Sequence, residues 1–420
     1  SEKTSPVYPL ILTTGRIRDQ WHTMTKTGKV QKLNKHISQP YLEINPIDAL
    51  SRGIKDNNAV EIFNERGSVR VTAKFSEDIK PGVLFLPMHW GKILNKSFGR
   101  TNNLTNNLID SRSKEPDLKF SAVQVKKFIK EKQKIIVVGA GAAAFRFIND
   151  YRELNTTDEI QVFCKELYPF YNRVMLPDYV SGKLEWERLV KIHEEELKKL
   201  NVELLKGIGV TKINRDTKEI VDSENRVHSY DLLILATGSR SFVPRDVPRD
   251  LKGVFTMRSR SDADGLLAHM KTNAHVVVIG GGLLGLELAA SLREINIEVT
   301  VVQRISRLME RQLDEIGSAL LGEEIEDRGI KVIYNDEVKS LTGKHQLESI
   351  KLASGKTITC DAVVYAIGIE PNIEIAKEAN LLCNRGVIIN DYFQTSDTNV
   401  YAIGEIAERN AKLFGIAAAA

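Results

Sequence analysis

At 420 residues, with 42% hydrophobic and 27% charged side chains, the chain is long enough for two or three domains with sizeable cores. A net charge of +4, spread over both signs, is too balanced to argue for nucleic acid or a membrane surface as partner. Cys164, Cys360 and Cys383 stand too far apart in sequence for a Cys-x-x-Cys redox pair, a zinc motif or a disulfide framework, and so sparse a count fits a reducing compartment. The first residues show no basic-then-apolar leader and no apolar run reaches membrane-span length, so a cytoplasmic location is expected. Ser1 leads almost at once into an apolar strand, and the final FGIAAAA reads as the opening of a helix. The chain is therefore expected to be a piece of something longer.

Residues 1–122 carry short β-like runs, PLILTTGR, YLEINP, NAVEIFNERGSVRVTAKF and GVLFLPMHW. Turn signals at Asn45-Pro46, Glu65-Arg66-Gly67 and Lys80-Pro81-Gly82 separate them, predicting a small β-barrel with a few helical turns. Within its first turn, Arg16, Arg18, Trp21, His22 and Thr23 form a polar, aromatic cluster suited to phosphate or base recognition, or to a purely structural loop. Residues 123–133 read as a basic linker. From Lys134 the rhythm becomes strand, glycine turn, helix, strand, the alternation of a parallel sheet, and it occurs twice.

In the first repeat, Ile135 to Val138 run straight into Gly139-x-Gly141-x-x-Ala144 and an apolar helix. Such glycines permit a tight turn and close approach to a pyrophosphate, and a small residue at 144 lets helix and strand touch. The following strand should end in an acid for the adenosine ribose, and Glu166 is the available carboxylate, with Lys165 just before it. In the second repeat, Gly280-x-Gly282-x-x-Gly285 follows a Val-Val-Val-Ile strand. Gln303 stands where an NAD site would place an acid, and Arg304 and Arg307 follow. The pattern leans to NADPH and leaves NADH open.

Two fingerprints about 140 residues apart, with YDLLILATGS between them and VYAIGEIAE near the end, resemble the FAD-dependent pyridine-nucleotide reductases. VFCKELYPFYNRVML, GGGLLGLELA, LMERQLDEIG, YAIGIEPN and QTSDTNVYAIGEIAE are similar to the flavoprotein part of NAD(P)H-dependent nitrite reductase. The resemblance implies an FAD-binding domain over 134–255 and 373–420 and an NAD(P)-binding domain over 256–372, both Rossmann-like. Ala236, Thr237 and Gly238 would mark the crossing between them and Tyr365 to Asn372 the return. It also implies that Arg173 touches FAD, that Gly404 and Glu405 bring a carboxylate to its ribityl or phosphate region, and that Glu287 lies near the stacked rings as the catalytic side chain. Three positions depart from the pattern. Lys165 replaces the principal ribose acid, Asp178 replaces a lysine that pairs near the flavin, and the cysteine pair of the disulfide-reducing branch is missing.

TTGRIRDQWHTMTKTG, YLEINPIDALSRGI, RGSVRV and PGVLFLPMHW in turn resemble the molybdopterin-dinucleotide-binding domain of assimilatory nitrate reductase, of double-psi barrel type. The resemblance implies contacts to a molybdopterin guanine dinucleotide from Thr14, Gly15, Arg16, Trp21, His22, Thr23, Asn102 and Lys119. Asp56-Asn57-Asn58 replaces an Asp-Gly-Asp turn, where Asn tolerates positive φ. Together the two halves imply a segment of a fused nitrate reductase, in which FAD accepts hydride from NADH or NADPH and passes electrons to metal centres outside this chain, ending at nitrate or nitrite. No metal-binding residue of its own is expected, and a homodimer is among the expected assemblies. A cofactor-binding scaffold without turnover and a flavin-dependent NAD(P)H oxidase are the alternatives.

Overall fold

The computed structural model describes all residues except 1, 23, 25, 38, 91–99, 130, 249, 272, 273 and 415–420. The chain divides into two compact units, Ser1–Glu131 and Lys132–Ala420.

The first unit is a closed six-stranded barrel of β1 (Leu10–Gly15), β2 (Tyr41–Ile44), β3 (Ala59–Asn64), β4 (Gly67–Phe75), β5 (Val83–Pro87) and β6 (Ser121–Lys127), in the order β1-β5-β2-β4-β3-β6. Every second residue of its strands turns inward, so Leu10, Leu12, Leu42, Ile44, Val69, Val71, Leu84, Leu86, Val123 and Val125 fill the interior. Each such aliphatic side chain contributes roughly 1.5–3 kcal/mol by leaving water. β1 runs parallel to β5 and antiparallel to β6, and β3 and β4 form a tight hairpin. Asn45 begins the helix Pro46–Leu50 by accepting from the Ile47 N–H at 3.0 Å, with proline at the first helical position. Asn57 holds φ +63, the value expected where glycine is replaced by asparagine. The linker expected at 123–133 is corrected: Val123–Lys127 belong to β6, whose alternating Val123 and Val125 face the core and pair with β1 and β3. Its basic end masked the period-2 pattern.

The second unit contains two parallel five-stranded sheets. In the first, the strand Lys134–Val138 lies between Leu232–Leu235 and Glu159–Cys164, with Val202–Lys206 and Val400–Ala402 at the edges. In the second, His275–Ile279 lies between Ala362–Tyr365 and Glu298–Val302, with Val254–Thr256 and Lys331–Ile333 at the edges. These strands are nearly continuous Val, Ile and Leu because both faces are covered. The sheets are joined by a small antiparallel pair, Ser239–Ser241 with Ile369–Pro371. Val254–Thr256 already belongs to the second sheet, two residues ahead of the boundary expected from sequence. A larger departure concerns Tyr171, Leu176, Val180 and Leu189. They precede the crossing in sequence, yet pack into the core formed by the helices Arg260–His269 and Leu283–Glu294. No helix among the described residues is long and apolar enough to cross a membrane.

Candidate nucleotide sites and the loop end of the barrel

Gly139 accepts a turn no other residue would. Its φ is +108, and a Cβ there would run into the Ala236 carbonyl of the neighbouring strand. Gly141 caps the helix Ala142–Leu154 with ordinary backbone angles, and nothing lies within 4 Å of where its Cβ would be. Gly139 is thus required by the fold, whereas Gly141 leaves open space at a helix N-terminus. That cradle fits a pyrophosphate, which the unpaired N–H groups and helix dipole would receive. Ala144 is fully buried under the turn.

The second turn repeats the arrangement. Gly280 has φ +112 and approaches the Ala366 carbonyl, and Gly282 caps the helix Leu283–Glu294 beside open space. Gly285 lies so close to the Gly280 carbonyl that a side chain would not fit.

Glu166 and Arg173 are brought together at the end of the first sheet. Arg173 Nη2 donates to Glu166 Oε1 at 2.6 Å, and the Tyr171 hydroxyl donates to Oε2 at 2.7 Å. Arg173 Nη1 also donates to the Arg258 carbonyl at 3.3 Å. Glu166, expected at the adenosine ribose, therefore has both oxygens engaged within the protein. Lys165 lies against Gly209 instead of joining that pair. Glu405 accepts from the Ser239 hydroxyl at 2.7 Å and pairs closely with Arg258, whose Nε donates to the Ser239 carbonyl at 3.3 Å. Arg258 was missed by sequence reasoning. It sits in no glycine motif, and only its position between a strand and the Ser259 helix cap marks it.

The crossing is secured by reciprocal bonds. Thr237 Oγ1 donates to the Asn372 carbonyl, and Asn372 Nδ2 donates back to the Thr237 carbonyl, both at 2.9 Å. Gly238 (φ +61) and Gly404 (φ +74) take the positive-φ positions, the latter tight against Ala143 at the first helix N-terminus. Ala236 is buried at the end of its strand.

Gln303 is buried, and its amide is used inside the protein. Oε1 accepts from the Gly281 N–H at 2.8 Å, while Nε2 donates to the Arg307 carbonyl at 2.8 Å and to Glu310 Oε2 at 3.3 Å. The Met309 N–H donates back to the Gly281 carbonyl at 2.9 Å, so the loop 304–310 folds over the glycine turn with Arg304 exposed. Glu287 lies on the solvent side of the helix Leu283–Glu294, which packs against the short helix Leu176–Val180 carrying Asp178. Although the residue is exposed, partial desolvation of its carboxyl and then the Asp178 charge push it above the usual range. Where a lysine would have lowered it, a second acid raises it.

Burial also pushes the Cys164 thiol up and that of Cys360 to about 12, with Asp361 adding to the latter. All three cysteines are free. No group of three or more His, Cys, Asp or Glu among the described residues is arranged to hold a metal ion.

On the barrel, the residues expected at the dinucleotide gather where β1 and β5 end. Thr14 is buried and its hydroxyl donates to the Leu118 carbonyl at 2.9 Å, while Lys119 Nζ donates to the Thr14 carbonyl at 2.8 Å. Gly15 makes room for the Phe85 ring. Arg16 lies 4.3 Å over the exposed Trp21 ring, and His22 meets that ring edge-on at 4.7 Å. Asn102 is exposed in a short 3-10 turn whose Thr101 hydroxyl donates to the Pro87 carbonyl at 3.0 Å. Thr23 lies outside the described residues. An exposed guanidinium stacked on an exposed indole fits a ligand with phosphates and a base.

These sites and sheets define a two-nucleotide flavoprotein oxidoreductase. Residues 133–420 match the model of the pyridine nucleotide-disulphide oxidoreductase family, and the chain belongs to that family. Residues 10–122 match the molybdopterin dinucleotide binding domain. The two matches imply FAD and NAD(P)H for the second unit and a molybdopterin dinucleotide for the barrel. The chain is 34% identical to the assimilatory nitrate reductase electron transfer subunit of Bacillus subtilis (strain 168), over 69% of this chain and 38% of that protein. It is 31% identical to the nitric oxide reductase FlRd-NAD(+) reductase of Vibrio vulnificus (strain CMCP6), over 65% of this chain and 72% of that one. Among solved structures, a covalent putidaredoxin reductase–putidaredoxin complex matches with a TM-score of 0.63 and 27% identity, covering 68% of this chain and 70% of that chain. The chain spans 38% and 36% of the length of the two Bacillus subtilis relatives first matched.

Proposed function

We propose that the second unit is the electron entrance of a nitrate-assimilation enzyme, and that the chain is a segment of a fused nitrate reductase. The carrying observation is the pair of glycine-capped helix N-termini, each facing open space, in a chain whose other half matches a molybdopterin-dinucleotide domain. The first cradle, with Gly139, Gly141, Ala144, Glu405 and the Glu166–Arg173 pair at its ends, would hold FAD. The second, with Gly280, Gly282 and Gly285, would hold the nicotinamide coenzyme. When bound, FAD supplies acceptance of hydride from NAD(P)H and release of single electrons.

The chain's own residues orient and shield. Arg258 fixes Glu405, Arg173 fixes Glu166, and the Thr237–Asn372 bonds hold the crossing at which the two sheets meet. Glu287, beside Asp178, holds a proton to higher pH than an ordinary glutamate. No described cysteine pair stands ready to relay electrons as a dithiol, which supports an acceptor outside this chain, a metal relay leading to nitrate or nitrite. Arg304 and Arg307 support NADPH, since the strand end where an NAD site places an acid carries Gln303, whose amide is used within the protein.

The purified chain should be yellow, bleach anaerobically on addition of NADH or NADPH, and recover colour with a one-electron acceptor such as ferricyanide. A colourless protein that takes up no FAD would sink this reading, and fast peroxide formation without added acceptor would favour an oxidase.

A further inference from the structure

His89 lies two residues beyond β5, is wholly buried, and is the hub of the barrel's loop end. Its two ring nitrogens have unequal partners. The Ile17 N–H donates to Nε2 at 2.9 Å, and Nδ1 contacts the His22 carbonyl. A backbone N–H can only donate and a carbonyl can only accept, so Nε2 is the bare nitrogen and Nδ1 carries the proton. One neutral imidazole therefore clasps the loop at both ends, and Arg16, Trp21 and His22 ride on it. His22 needs such a clasp, because it holds φ +43, which few non-glycine residues adopt.

We propose that His89 is the positioning residue of the dinucleotide end of the barrel, its neutral Nδ1–H ring holding Arg16 and Trp21 where phosphate and base are received. This rests on the molybdopterin-dinucleotide reading of the barrel. Protonation would turn Nε2 from acceptor to donor and set it against the Ile17 N–H. Burial, then the charges of Arg16 and His22, oppose that proton, while the His22 carbonyl favours it, and the balance lowers the histidine's affinity for it. The loop is accordingly held above the ordinary histidine range and loosened as pH falls below it.

Hydrogen–deuterium exchange of the peptide spanning 16–24 in the full chain tests the clasp. His89→Phe should speed its exchange about tenfold at pH near 7.5, as expected for loss of a hydrogen bond worth about 1.4 kcal/mol, with β3 and β4 unchanged. His89→Gln, which can accept and donate in the same places, should retain most of the protection. In the wild type, exchange corrected for its chemical pH dependence should quicken as pH falls below the ordinary histidine range, and in His89→Gln it should not. If His89→Phe disturbs β3 and β4, the comparison of wild type with His89→Gln across pH decides alone. Unchanged exchange in His89→Phe, or a pH response shared by His89→Gln, overturns the proposal. Guanosine diphosphate serves as the ligand probe. Binding by the wild type that weakens in step with loop exchange supports the proposal. A wild type that binds no guanosine diphosphate although the loop loosens as described overturns the dinucleotide reading and leaves the clasp standing.

Discussion

The first two glycines of each fingerprint occupy matching places in sequence but have different duties in the structure. Gly139 is fixed by a positive φ and the Ala236 carbonyl, whereas Gly141 has ordinary angles and nothing near its absent side chain. Gly141→Val should therefore fold and lose FAD, and Gly282→Val should fold, keep FAD and lose NAD(P)H. Flavin absorbance and coenzyme titration separate the two outcomes, and normal flavin content in Gly141→Val would remove the cradle from the FAD site. Gly139→Val is the poorer test, because it is expected to misfold.

Gln303 teaches a related lesson. Read as a sequence, it is a missing acid; in the structure its amide joins Gly281 to Arg307. Gln303→Glu should then not create a clean NADH site. It loses the donor to the Arg307 carbonyl and sets a second carboxylate beside Glu310, at a cost of about 1–3 kcal/mol. Thermal unfolding and coenzyme dissociation constants check this. Arg304→Glu, exposed and outside the network, should instead shift preference towards NADH without loss of stability. For Glu287, the sign follows from its raised pKa: folding favours the protonated form, so its contribution is present at low pH and lost as pH rises through the folded value. Asp178→Asn should stabilise the fold at pH 7 by a few tenths of a kcal/mol given the solvent around Glu287, seen as a small rise in melting temperature, and the gain should vanish near pH 4. An equal gain at both pH values would show that the two acids do not interact.

At the scale of elements, the strand–turn–helix units were legible because apolar runs ending in glycine have few other solutions. The antiparallel strands Val210–Asn214, Glu219–Asp222 and Val227–Ser229 were not, being short and mixed in polarity, with one face exposed. Nor was the role of Arg260, which looks like a surface charge. Its guanidinium lies 4.0 Å from the Trp186 ring and within 5.2 Å of Tyr168 and Tyr179, and it pairs with Asp264, which also accepts from the Tyr179 hydroxyl at 2.8 Å. This cage fastens the segment 168–186 to the helix Arg260–His269. Arg260→Ala should lower stability by about 1–2 kcal/mol, and Arg260→Lys should recover little of it, since an ammonium cannot stack as a planar group does. Unchanged melting of Arg260→Ala would make the cage ornamental. Long-range aromatic–cation contacts carry no local periodicity, so no window of sequence shows them.

For the whole molecule, each unit has its own core. Calorimetry should resolve two unfolding transitions, and FAD or NAD(P)H should raise only the one belonging to 132–420, because a ligand stabilises only what binds it. A single transition that moves as one would show the units to be energetically coupled. Resemblance of motifs made both halves recognisable, and one core of the reductase unit reaches across the line it drew inside that unit. The chain enters and leaves the part built on the second sheet through the narrow pairing of Ser239–Ser241 with Ile369–Pro371, which invites treating everything between as a detachable cassette. Tyr171, Leu176, Val180 and Leu189 contradict that, since they belong to the interior around the second sheet while arriving from the other side of the doorway. An engineer exchanging coenzyme specificity by grafting would leave those four apolar side chains facing a foreign surface. The transplant that works must be cut in two pieces, carrying 168–189 along with the insert.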